Sequence, residues 1–171
     1  MTPNHITNVF DSIYVLSFPF DCERRIRIKG QLDRLGIKFT FFDSINGSEG
    51  ESLATYRKVC ARPLGQLVKF PEQNQRELKR GKPFVESAGA IGYIFSYVAI
   101  VKHAKAKGYR RILTLEDDVI LARDFGERLE KFLANVNEDW LVLLLGASQH
   151  NWQDVDIEKA EKKGYYPPLL I

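Results

Sequence analysis

Glu116, Asp117 and Asp118 stand in a row between two apolar runs, Arg111–Leu115 and Val119–Leu121. The run before them is short and β-prone, the pattern of a buried strand. A strand that ends on three carboxylates directs them at one place, and their mutual repulsion must be balanced by a cation or by hydrogen-bond donors. Hard divalent cations take such oxygen ligands. The carboxyl ends of strands in an open α/β sheet are also where ligands bind. The trio therefore reads as a metal site that holds a phosphate through the metal. Mg²⁺ or Mn²⁺, held by one or two carboxylates plus substrate phosphates, would neutralise a diphosphate leaving group and act as a Lewis acid. On an extended segment residues i and i+2 share a face. Glu116 and Asp118 are thus expected to address one ligand while Asp117 points elsewhere. The plain alternative is an acidic turn with solvated side chains.

The elements around the trio favour a parallel sheet. Ser12–Phe18 reads as a first strand, broken at Pro19, with Asp21 placed to cap a helix. Ile28, Leu32 and Leu35 then recur at helical spacing until Gly36. Lys38–Phe42 reads as a second strand, followed by turn residues Asp43–Gly47. Residues 48–87 are expected to be an irregular insertion with scope for mobility, containing a short helix over Ser52–Val59 and loops at Pro63, Pro71 and Pro83. From Ser87 a stripe of Ala90, Ile91, Ile94, Val98 and Val101 predicts a long helix through Lys107, ended by Gly108. Ile112–Leu115 is the strand before the acids. Asp124 is placed to cap a helix with the stripe Phe125, Leu129, Phe132 and Leu133, and Leu141–Leu145 reads as a last buried strand. Residues 147–171 form a polar tail. The β-α-β order predicts one α/β domain over 1–171, a mostly parallel sheet flanked by helices.

Composition sets the outer limits. The 171 residues suffice for one domain with a core, and 44% hydrophobic with 27% charged residues is ordinary for a globular chain. A formal charge of +3 is too small to argue for nucleic acid. Basic clusters at Glu23–Arg27 and Gln75–Arg80 would favour anionic substrates or acidic lipid headgroups. Cys22 and Cys60 fit no metal-ligand spacing and are expected as free thiols in a reducing compartment. No apolar run reaches transmembrane length and the N-terminus lacks the marks of a signal peptide. A cytoplasmic protein, at most peripheral to a membrane, is the expectation.

Several of these pieces, in order, resemble glycosyltransferase family 25, the group of lipopolysaccharide and collagen galactosyltransferases. The opening strand Ile13–Ser17 with Glu23-Arg24-Arg25 is one such piece. Others are Leu35–Phe39 with Phe41–Gly47, the glycine-led Gly89–Ser96, the acidic Leu113–Val119 and Trp140–Gly146. The resemblance covers most of residues 12–146. It implies a GT-A-like (Rossmann-like) fold, a UDP-sugar donor and a divalent metal. By that analogy Asp118 ligates Mn²⁺ or Mg²⁺, Glu116 or Asp117 touches the ribose or donor sugar, and Ser17, Arg24 and Asp43 lie near the nucleotide. It implies transfer of a hexose, galactose first, to a lipooligosaccharide or other glycan acceptor.

Two departures from the family pattern stand out. Tyr97 occupies a place where the family commonly has histidine, and tyrosine offers no readily available proton near neutral pH. The chain is also expected to lack the acceptor-side segment that follows Gly146 in family members. No residue is assigned as the catalytic base; His103 and His150 qualify by type alone. A non-catalytic relative that keeps nucleotide-sugar binding is therefore the second reading. A phospho-acceptor receiver domain is a third, disfavoured because its acids come near the start of the fold.

Overall fold

The computed structural model describes residues 9–66, 71–137 and 139–146. Three strands build a parallel sheet in the order β2-β1-β3: β1 Ser12–Ser17, β2 Thr40–Asp43 and β3 Ile112–Glu116. The central strand is buried on both faces, which is why Ile13-Tyr14-Val15-Leu16 reads as a continuous apolar run rather than an alternation. Tyr14 pairs with Thr40 on one side and with Thr114 on the other. The three strand ends Ser17, Asp43 and Glu116 therefore come together at one edge.

Helix α1 (Cys22–Arg34) follows β1. Asp21 caps it by accepting the Arg24 backbone N–H at 3.5 Å, and Gly36 leaves it with φ 65°, a conformation that favours glycine. Its buried stripe of Ile28 and Leu32 packs with Ile13, Val15, Leu113 and Leu115 and with Phe125 and Leu129 of α5 (Phe125–Ala134). The opposite sheet face presents Tyr14 and Leu16 to Ile100 of α4 (Ala88–Ala106). The result is an α/β layering with helices on both faces of the sheet, as the β-α-β pattern predicts. Cys22 and Cys60 are exposed free thiols, in line with expectation. Among the described residues no helix is long and apolar enough to cross a membrane.

Four readings of the sequence need correction. First, α4 has the expected length and is capped by Ser87, but its buried face is Ile91, Gly92, Ser96, Ile100 and Ala104. Ile94, Val98 and Val101 are exposed instead. Apolar residues surround this helix on most sides, so spacing alone could not select the face. Close approach selects it: a Cβ at Gly92 would lie 2.5 Å from the Ile45 carbonyl oxygen, and Ser96 Oγ accepts the Ile45 N–H at 2.8 Å.

Second, the described residues of 48–87 hold two helices: α2 (Gly50–Ala61), which contains the expected Ser52–Val59 helix, and α3 (Pro71–Arg80), which stands where a loop at Pro71 was expected. Pro71 is the first residue of α3, a position where proline's missing N–H costs nothing. This part closes over a fully buried carboxylate. Glu77 accepts both terminal nitrogens of Arg62 and the backbone N–H groups of Gly65 and Phe84.

Third, Leu141–Leu145 is not a strand. Leu141 is 94% exposed and Val142 and Leu144 nearly as open, while Trp140 and Leu145 rest against the core. An apolar run becomes a strand only where a neighbour takes its ladder hydrogen bonds. Among the described residues the sheet stops at β3. The tail at 147–171 lies outside the described residues. Fourth, Asp124 is the N-cap residue of α5, as expected, but its side chain makes no cap hydrogen bond and pairs with Arg128 at 2.9 Å one turn on.

Candidate functional site

The carboxyl edge of the sheet gathers two arginines from the first turn of α1. Arg24 extends one terminal nitrogen to both aspartates of the acidic turn, 3.2 Å from Asp117 Oδ1 and 3.5 Å from Asp118 Oδ2. Its Nε lies 3.3 Å from Asp21 Oδ2. The hydrogen bond to Asp117, then the charges of Asp117, Asp118 and Asp21, raise the guanidinium's pKa above its usual value. The two aspartates are not equivalent. The Asp117 side chain is 10% exposed, whereas that of Asp118 is 54% exposed and open to a ligand.

Arg25 turns to the other two strands. It donates through Nε to Ser17 Oγ at 3.3 Å, and through Nη2 to the Ser17 carbonyl at 3.2 Å and Asp43 Oδ1 at 2.6 Å. Its guanidinium also lies 4.6 Å from the Phe41 ring centroid, within cation–π range. Ser17 is buried and Asp43 exposed, so Arg25 joins the ends of β1 and β2 from within.

Glu116 faces a third direction. Its Oε1 accepts the Tyr93 hydroxyl of α4 at 3.1 Å. The Tyr93 ring lies 4.7 Å from that of Tyr97. Burial, then contact with Tyr97, then the charge of Glu116 push the Tyr93 phenol above its ordinary range, so it remains a proton donor at neutral pH. Tyr97 also packs against the Tyr14, Leu16 and Ile100 cluster. His103 makes edge contacts with Tyr14 and Phe42, both at 5.7 Å, which is an aromatic packing role. His150 lies outside the described residues.

Arg24, Asp117 and Asp118 thus meet, Ser17 and Asp43 meet through Arg25, and Glu116 meets Tyr93. The expected pairing of Glu116 with Asp118 is replaced by a pairing of Asp117 with Asp118 on Arg24. The strand ends at Glu116 and a turn begins, so the two-residue alternation stops there. Arg25 and Tyr93 escaped the residue-type reading. The signal was present for Arg25: it precedes Ile28 by three and Leu32 by seven, on the inward stripe of α1.

The turn itself is held from behind. Gln31, buried in α1, donates to the Val119 carbonyl at 3.0 Å and accepts the Leu121 N–H at 2.8 Å. Gln31→Ala leaves both backbone groups without their partner. It is expected to destabilise the chain by about 2 kcal/mol and to broaden backbone NMR signals of residues 117–121. Sharp signals there with unchanged stability would show that the turn does not need Gln31.

The acidic turn fits a divalent cation in one respect. A single positively charged nitrogen already sits within 3.5 Å of both Asp117 and Asp118, so the two carboxylates can serve one centre. Among the described residues no group of three His, Cys, Asp or Glu side chains could hold a metal. Phosphate oxygens and water would have to complete the coordination, as is usual for Mg²⁺.

Known proteins share the sequence pattern of this chain. The sequence model of glycosyltransferase family 25 (LPS biosynthesis protein) matches residues 10–168. The chain is 28% identical over 145 residues to the human "inactive glycosyltransferase 25 family member 3", covering 83% of this chain and 22% of the relative. It is 27% identical over 146 residues to the rat "probable inactive glycosyltransferase 25 family member 3", covering 83% of this chain and 23% of the relative. The chain spans less than a quarter of the length of these curated relatives. With the family pattern matched along nearly its whole length, the chain belongs to glycosyltransferase family 25.

Proposed function

We propose that the chain binds a UDP-sugar donor at the carboxyl edge of its sheet and acts as a metal-dependent glycosyltransferase. The sugar transferred is a hexose, galactose first, and the acceptor a lipopolysaccharide or other glycan. The observation that carries this reading is Arg24 set against Asp117 and Asp118, a cation and two carboxylates at the ligand end of a parallel sheet. Arg24 offers donors to diphosphate oxygens, and Asp118, with Asp117 beside it, holds Mn²⁺ or Mg²⁺. When bound, the metal neutralises charge on the departing diphosphate. Arg25 keeps Ser17 and Asp43 in fixed relation beside the nucleotide. Tyr93 fixes the Glu116 carboxylate and keeps its proton while doing so.

Asp118→Asn preserves size and removes the charge a hard cation needs. Mn²⁺ is expected to strengthen UDP binding to the unmodified chain, and the substitution to remove most of that enhancement. Calorimetry of both proteins with and without Mn²⁺ decides it. The same metal dependence in both would exclude Asp118 as a ligand. Release of UDP from a set of UDP-sugars, with and without lipooligosaccharide fragments, tests transfer.

The second reading is a relative that binds the donor without turnover. The names of the rodent and human relatives favour it, as does Tyr97 in place of a histidine. UDP binding without sugar transfer under any acceptor would establish it.

A further inference from the structure

The connection between β1 and α1 carries an aromatic pair that the donor reading has not used. Phe18-Pro19-Phe20-Asp21 is a tight turn, closed by the Asp21 N–H donating to the Phe18 carbonyl at 3.1 Å. Proline fixes the backbone at its second position. The Phe18 and Phe20 rings are stacked, with centroids 5.0 Å apart and planes 13° from parallel. Phe20 is nevertheless 74% exposed. With Phe18 on one side of it, that exposure belongs to its other side and its edges. An apolar ring held in fixed orientation and left open to water is poised for a flat partner.

Its position says which partner. The turn lies at the carboxyl end of the central strand, where open parallel sheets take ligands. Asp21, the last residue of the turn, contacts Arg24, and Arg24 contacts Asp117 and Asp118. The ring thus stands one residue before Asp21, whose side chain begins a run of contacts through Arg24 to the groups assigned to the diphosphate and its metal. A nucleoside diphosphate has this composition, an aromatic base at one end and a polyanion at the other.

We propose that Phe20, backed by Phe18, is the stacking platform for the nucleobase of the donor. The proposal rests on the donor-binding reading and adds the base subsite to it. Stacking asks only for a π face, so the platform secures affinity without choosing among bases.

Calorimetry of the full chain with UDP and Mn²⁺ tests it in four proteins: unmodified, Phe20→Ala, Phe20→Leu and Phe20→Trp. Alanine is expected to weaken UDP binding by roughly 5- to 150-fold, the range for loss of one base–aromatic stack. Leucine, apolar but not planar, is expected to behave like alanine, and tryptophan to retain or improve affinity. Emission of the Phe20→Trp protein should be quenched by UDP and not by inorganic pyrophosphate. Because Phe20 is exposed, all four proteins should melt alike. UDP affinity unchanged by alanine, or fully kept by leucine, overturns the platform and leaves donor binding standing. No UDP binding by the unmodified chain overturns both. Attachment to anionic lipid vesicles that depends on Phe20, with UDP affinity unchanged, would reassign the ring to a membrane surface.

Discussion

Glu77→Gln is expected to lower the melting temperature by roughly 10 °C, as for removal of one partner from a buried ion pair. Four N–H donors converge on the two carboxylate oxygens, two from Arg62 and one each from Gly65 and Phe84. Glutamine has almost the same shape but turns one oxygen into an NH₂, which then faces two of those donors. The Arg62 charge is left without its counter-charge in a half-buried position. The same cluster sets an acid limit. Chiefly the hydrogen bonds from Arg62, then those of Phe84 and Gly65, hold the Glu77 carboxyl down to about 2, from an ordinary 4.5. A lowered folded-state pKa stabilises above the unfolded value, and that contribution fades as pH falls from about 4.5 toward about 2. Thermal melts at pH 7 and at stepwise lower pH give both results. The exposed first-turn Glu72 is the control. A Glu77→Gln protein that melts with the unmodified chain at pH 7, and loses stability in acid just as it does, would show that this carboxylate is dispensable.

Gly47→Ala is expected to cost about 3 kcal/mol or more, at the upper end for overpacking. An added Cβ would fall 1.9 Å from the Ala88 carbonyl oxygen and 2.4 Å from its carbon. Both are backbone atoms, so no rotamer change relieves the contact. Helix α4 has to lift from the Ile45–Gly47 segment, taking with it the Ser96 bond to Ile45 and the placement of Tyr93 against Glu116. Gly30, inside α1, has nothing within 4 Å of its added Cβ. Gly30→Ala should stabilise the chain by about 0.5–1 kcal/mol through helix propensity. Urea denaturation of the two variants should therefore shift in opposite directions. A Gly47→Ala protein as stable as the unmodified chain would mean the α4 contact is compliant.

How far these features could be read from sequence depended on what determines each one. β1, β3 and α1 are specified by their own short-range patterns, so Ile13–Leu16, Ile112–Leu115 and the Ile28–Leu32 stripe identified them. The place of the acidic turn was legible because the apolar run Ile112–Leu115 marks the strand that ends there. Its internal arrangement was not, since the direction of each carboxylate depends on where the strand ends and on which cation arrives from α1. Long-range close approach was hidden as well. Gly92 and Ser96 decide the buried face of α4 through contacts with Ile45, far away in sequence. Polar α3 was missed because its anchor is a buried glutamate, a residue type that ordinarily marks the surface. The run at Leu141 shows the converse, apolar enough for a strand but with no described ladder to join.

The adjacent arginines of α1 differ in when their contacts can form. Arg25 meets Asp43 across 18 positions of chain, whereas Arg24 meets Asp117 across 93. Closing the longer span costs about 1.5 kcal/mol more in chain entropy before any contact repays it. The β1-α1-β2 half can thus collapse early with Arg25 in place, while the Arg24 cluster waits for β3 to dock on β1. The candidate site therefore exists only in molecules that have made their most distant pairing. A ligand that binds there selects those molecules and stabilises the whole chain by mass action. Pulse-labelled hydrogen exchange during refolding would see this as amides of α1 protected before those of β3, Ile112–Glu116.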